Sequence, residues 1–89
     1  MAATEIKGRK YEIRFDTLNR AAAVRSDCNE LFIYNTGTNT VLVNAIPLIP
    51  GAGFIVSGHI NEQDTTVYQV SFTGAGTPGA VVVRKFYIE

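Results

Sequence analysis

The single histidine, His59, stands just ahead of two carboxylates, Glu62 and Asp64. An imidazole beside acids suits both general acid–base catalysis and metal binding. Here the set is thin. No second His and no Cys stands near it, and no carboxylate is obviously placed to orient it, so a polar surface residue is the simpler reading. Glu62 and Asp64, with Asn61 and Gln63, make an oxygen-rich loop, but calcium takes about 6–8 oxygen ligands and usually several carboxylates. Turn chemistry accounts for the same residues. A small metal-dependent enzyme would need His59, Glu62 and Asp64 to converge.

The other candidates are weaker. Cys28 is the only cysteine, and without a nearby base to lower its pKa it suits the role of a small buried hydrophobe. Ser57 and Ser71 fall in β-patterned segments with no triad partners. Gly74, Gly76 and Gly79 lack the Lys-Ser/Thr and the helix that follow a phosphate loop. The expectation is a protein that is not an enzyme, with no catalytic residue, cofactor or metal.

The chemistry is therefore sought in how the chain is built. Its 89 residues suffice for one domain. One Cys allows no internal disulfide, so either a well-packed core or assembly must stabilise so small a fold. Eight basic and eight acidic residues balance to zero. That argues against nucleic acid, which wants a basic stripe, and leaves little repulsion between copies. No apolar stretch reaches the ~20 residues of a membrane helix. The start of the chain lacks a signal-peptide hydrophobic region. Synthesis in a cytoplasm, with no membrane partner, is the expectation.

Charge is unevenly spread. Residues 31–83 contain no Lys or Arg, and Glu62 and Asp64 are their only acids. Val, Ile, Thr, Asn and Gly fill that stretch instead. A soluble monomer ordinarily keeps a surface of mixed charge. A chain that omits it across its central half is expected to sit against copies of itself or a larger body, as a homo-oligomer.

The pattern is β throughout. Residues 1–8 are small and polar and predict a flexible N-terminal arm, ahead of a single β domain over 9–89. Residues 9–15 alternate, with Tyr11, Ile13 and Phe15 on one face and Lys10, Glu12 and Arg14 on the other. Residues 21–25 predict a short strand. Residues 31–44 predict a hairpin, turning through Asn35-Thr36-Gly37-Thr38-Asn39. Pro47 and Pro50 exclude residues 46–51 from a central strand, and Pro50-Gly51 fits a type II turn. Short strands follow around Phe54 and Val56, and over 65–72 with Tyr68, Val70 and Phe72 on one face. A turn over 73–79 leads to a long strand over 80–88. The fold expected is all-β: a single small β-sandwich or jelly-roll-like barrel of six to eight short antiparallel strands.

Most aromatics, at strand spacing, are expected in the core. A carbohydrate-binding or adhesin-type β-module is the alternative; it would expose two or three aromatics together, preferably with Trp, which the chain lacks. Surface contacts are expected from the apolar loop bearing Ile46, Leu48 and Ile49, and from Phe86, Tyr87 and Ile88 near the C-terminus.

Phe32-Ile33-Tyr34-Asn35-Thr36-Gly37-Thr38-Asn39-Thr40-Val41, then Pro50-Gly51 ahead of Phe54, then Thr65-Thr66-Val67-Tyr68 leading into Val70-Ser71-Phe72, resemble small β-rich structural proteins of tailed-phage virions. The resemblance covers roughly half the chain. It implies a capsid decoration, head auxiliary or tail-associated protein, located in the virion, whose partners are copies of itself and other virion proteins.

Overall fold

The computed structural model describes residues 10–88, and no helix occurs among them. Eight strands follow in chain order: β1 (Lys10–Leu18), β2 (Ala22–Arg25), β3 (Glu30–Asn35), β4 (Thr40–Val43), β5 (Ile46–Leu48), β6 (Gly53–Val56), β7 (Val67–Thr73) and β8 (Ala80–Ile88). They form two antiparallel sheets of four, ordered β1-β8-β3-β6 and β2-β7-β4-β5, as in a small β-sandwich. The arm expected over residues 1–8 lies outside the described residues.

The two inner faces make the core. Leu31, Ile33, Ala80 and Val82 of the first sheet meet Val24, Val41, Val43, Leu48, Tyr68 and Val70 of the second. These are largely β-branched side chains, which suit a pleated, buried surface. Tyr68 and Val70 are buried, with Phe72 half-buried on the same face, as alternation over β7 predicts. Phe54 meets Tyr68 edge-on at 5.6 Å.

The hairpin expected over residues 31–44 does not form. β3 pairs with β6 and β8, whereas β4 pairs with β5 and β7 in the other sheet. Residues 35–39 are a crossing between layers. Asn35 and Asn39 are turn formers in sequence, yet both are buried here. The Asn35 side chain replaces the hydrogen bonds of a hairpin turn: its Nδ2 donates to the carbonyls of Asn39 and Leu48, and its Oδ1 accepts from the Gly37 amide. The crossing also lies against residues 77–79. The Thr36 and Gly37 amides both donate to the Gly79 carbonyl. A Cβ on Gly37 would approach the Thr77 carbonyl oxygen to 2.3 Å, so only glycine allows that contact.

The hairpin that does form joins β4 to β5 through Asn44 and Ala45, with φ of 48° and 68°. Two consecutive positive φ values are those of a type I′ turn, whose twist matches the flanking strands. Asn44 tolerates this conformation, and its Oδ1 accepts from the Gln69 amide of neighbouring β7. Ala45 carries a strained backbone. β5 contains Pro47 and lies at a sheet edge, the place open to a strand with a missing amide donor. The turn after it closes with Ala52 N–H on the Ile49 carbonyl and Gly51 at φ 86°, as Pro50-Gly51 predicts for type II.

Candidate interaction surface

The residues that could have done chemistry do not come together. The Glu62 carboxylate accepts the His59 backbone amide at 2.9 Å, closing a local turn. Asp64 points elsewhere, accepting from the Thr66 amide at 3.0 Å and the Tyr68 hydroxyl at 2.8 Å. Burial pushes the Asp64 carboxyl up. The Thr66 hydroxyl and amide, with the Tyr68 and Ser26 hydroxyls, outweigh it and hold the group at about 2. Burial, and then the bond to Asp64, raise the Tyr68 phenol above its usual value. Asp64 is thus a structural acceptor: its backbone also bridges to Cys28, with its amide on the Cys28 carbonyl at 2.8 Å. Cys28 is buried, and its thiol lies 3.1 Å from the Glu30 carbonyl. No group of three or more His, Cys, Asp or Glu among the described residues is arranged to hold a metal ion.

A cleft of about 640 Å³ lies where β1 and β2 diverge and is lined by Arg14, Asp16, Arg25, Asp27 and Arg84, among others. Each cation there already has an acid: Arg14 pairs with Glu12, Arg25 with Asp27, and Arg84 with Asp16. Arg84 also donates to the Arg25 and Ser26 carbonyls, tying β8 to the end of β2. The cleft is a latch between the sheets.

The distinctive surface is the outer face of the first sheet. Register fixes its composition. Across the sheet, Tyr11 lies beside Tyr87, Ile13 beside Lys85 and Glu30, Phe15 beside Val83, Phe32 and Ile55, and Thr17 beside Val81, Tyr34 and Gly53. Tyr11 is 57% exposed, Phe15 68% and Ile55 67%. The Phe32 and Tyr34 rings stack at 5.8 Å. They lie across β6 at Gly53, where a Cβ would meet the Phe32 ring at 2.6 Å. An ion pair on this face, Lys85–Glu30 at 3.3 Å, sits within the aromatics, with the ammonium 4.5 Å from the Tyr11 ring centre and 4.8 Å from that of Tyr87. Tyr87 raises the Lys85 pKa most; slight desolvation opposes this and Glu30 adds to it.

The outer face of the second sheet is different. It presents Thr40, Gln69, Ser71, Thr73 and Arg25, with Ala23, Leu42, Pro47 and Val67 as its apolar members. Two sheets of one small protein thus show water an aromatic-rich apolar face and a more polar one without aromatics.

The surface residues expected from sequence are scattered. Tyr87 lies on the apolar face. Ile46 and Ile49 are exposed at the far edge, on and just after β5, while Leu48 between them is 6% exposed and part of the core. Phe86 packs half-buried against the core with the Arg14 guanidinium 5.3 Å above its ring, and Ile88 ends the same inner side of β8. Tyr11, Ile13, Phe15, Phe32, Tyr34 and Ile55 were not among the expected surface residues. Of the aromatics expected in the core, Tyr68 alone is buried among the described residues. The signal was present: Leu31, Phe32, Ile33 and Tyr34 are apolar at consecutive positions, so both faces of β3 are apolar, while only one can face the core.

No protein-family model, curated protein or solved structure matches the chain.

Proposed function

We propose that this protein is a non-enzymatic structural subunit that assembles with copies of itself and with other proteins of a tailed-phage virion, through the edge and outer face of its first sheet. The observation that carries this reading is the apolar outer face, Tyr11, Ile13, Phe15, Phe32, Tyr34, Val83 and Ile55, set against a more polar outer face on the other sheet. A contiguous exposed apolar patch on a small protein marks a surface that a partner covers. The virion as the setting rests on the sequence resemblance over residues 32–41, 50–54 and 65–72.

Sedimentation of the protein with purified tailed-phage heads and tails tests the setting. Co-sedimentation that saturates at a fixed number of copies per particle is the expected result; no binding to either, by a protein that stays monomeric, overturns it.

A carbohydrate-binding module is the second reading, favoured by exposed aromatics gathered on one sheet face. The groove between β1 and β6 is lined by Ile13, Phe32, Ile55 and Val83, and of its polar residues Glu30 and Lys85 are already paired with each other, which leaves Ser57 to orient a sugar. Binding on a glycan array that Phe15→Ser abolishes would move the assignment to this reading.

A further inference from the structure

β1 is a nine-residue edge strand with β8 on one side and, among the described residues, nothing on the other. The other three edges are blunted in the ways proteins use against stray pairing: β2, β5 and β6 have three or four residues each, and β5 contains Pro47. β1 is long, and from Lys10 to Thr17 every residue is exposed. It also carries charge. Lys10, Glu12, Arg14 and Asp16 alternate in sign along one face, with Tyr11, Ile13 and Phe15 along the other.

That order is self-complementary. We propose that two copies join through β1, antiparallel about a two-fold axis at Ile13, into one continuous eight-stranded sheet; the inference rests on the assembly reading above and specifies its first contact. In this register Lys10 faces Asp16 of the second copy and Glu12 faces Arg14, each pair occurring twice by symmetry. Tyr11 faces Phe15 and Ile13 faces its own counterpart, so the apolar outer face runs unbroken across the join. Cross-strand pairs of opposite charge and of aromatic with aromatic stabilise such a contact, and like charges oppose it.

Neighbouring registers fail. An axis at Glu12 sets Glu12 against itself and Lys10 against Arg14. An axis at Arg14 sets Arg14 against itself and Glu12 against Asp16. An axis at Phe15 matches Arg14 with Asp16 but places Glu12 against Leu18. A slip by a single residue lays the apolar face of one copy beside the charged face of the other. The Glu12–Arg14 contact within one strand, 2.7 Å and largely exposed, leaves both groups able to share with a partner.

Two variants test the register by sedimentation velocity. Glu12→Arg places like charges across the axis, as does Arg14→Glu, and each alone is expected to self-associate about tenfold or more weakly than the native protein. Mixed together, they restore opposite charges between copies while neither regains its internal pair, so a heterodimer is expected at the native affinity. That rescue also shows that both variants fold. If the native protein associates and either variant matches it, or the mixture fails to associate, the β1 register is overturned while the assembly reading stands. If the native protein is monomeric at every concentration and binds no virion component, both fall.

Discussion

The Asn35 side-chain amide donates to the Leu48 carbonyl at 2.9 Å, joining the end of β3 in one sheet to β5 in the other. The same nitrogen reaches the Asn39 carbonyl at 2.8 Å, and the side-chain oxygen holds the Gly37 amide at 2.9 Å. One buried, fully satisfied side chain therefore fixes where the chain leaves one layer for the other. Satisfied buried polar groups specify a structure because their loss leaves several partners unpaired.

Asn35→Leu keeps the branching and the number of heavy atoms and removes all three bonds. The Gly37 amide keeps the Gly79 carbonyl, but the carbonyls of Asn39 and Leu48 lose this donor, and each buried group left unpaired costs about 1–3 kcal/mol. A loss of roughly 3 kcal/mol in urea denaturation is expected. A loss below about 1 kcal/mol would mean that the crossing is held by other contacts.

Ala45 stands at φ 68° in the β4–β5 turn. Glycine adopts that conformation without the Cβ clash, although it loses more entropy on folding. Ala45→Gly is expected to stabilise by about 0.5–1 kcal/mol, seen as a higher Tm. An unchanged or lower Tm contradicts the type I′ geometry.

The Asp64–Tyr68 bond makes stability depend on pH at both ends. Asp64 is held at about 2 in the folded protein, below its ordinary 3.8. Its contribution is therefore complete above about pH 4 and disappears as pH falls towards 2. Tyr68 is raised above 10.0, so its contribution holds below pH 10 and is lost as pH climbs past the folded value. In Tyr68→Phe, chemical denaturation across pH is expected to show the acid limb displaced upward and the Tyr68 alkaline loss removed. An acid limb that stays in place means that Thr66 and Ser26 suffice to hold Asp64 ionised.

Gly37 has backbone atoms of Thr77 and Gly79 where a Cβ would stand, at 2.3 and 2.6 Å. Neither can rotate aside. Gly37→Ala is expected to cost about 2 kcal/mol or more, since it forces crossing and loop apart. A neutral result in thermal denaturation shows that the two segments do not touch.

The β-strands were legible because alternation and turn residues punctuate them: Tyr68, Val70 and Phe72 share a face as spaced, and Pro50-Gly51 turns as its residue types require. Pairing was not legible. Asn35 to Asn39 carries the composition of a hairpin turn, and only the burial of Asn35 between the layers distinguishes a crossing from a hairpin. The same limit applied to the surface. Tyr11, Ile13 and Phe15 alternate as a core-facing strand does, and their exposure follows from β1 being an edge strand with its apolar side on the outer face, which no local pattern records. The stretch free of basic residues supplies most of the core, while the longest free edge carries four charges.

The central claim is that copies of this protein meet through the free β1 edge and the apolar outer face of the first sheet. Sedimentation equilibrium of the native protein beside Phe15→Ser/Ile55→Ser measures it most directly, because both side chains are about two-thirds exposed and their loss leaves the core intact. Concentration-dependent association of the native protein, weakened tenfold or more in an equally stable variant, is the result expected. A native protein that stays monomeric up to the highest soluble concentration, or a variant that associates as tightly as the native protein, contradicts it.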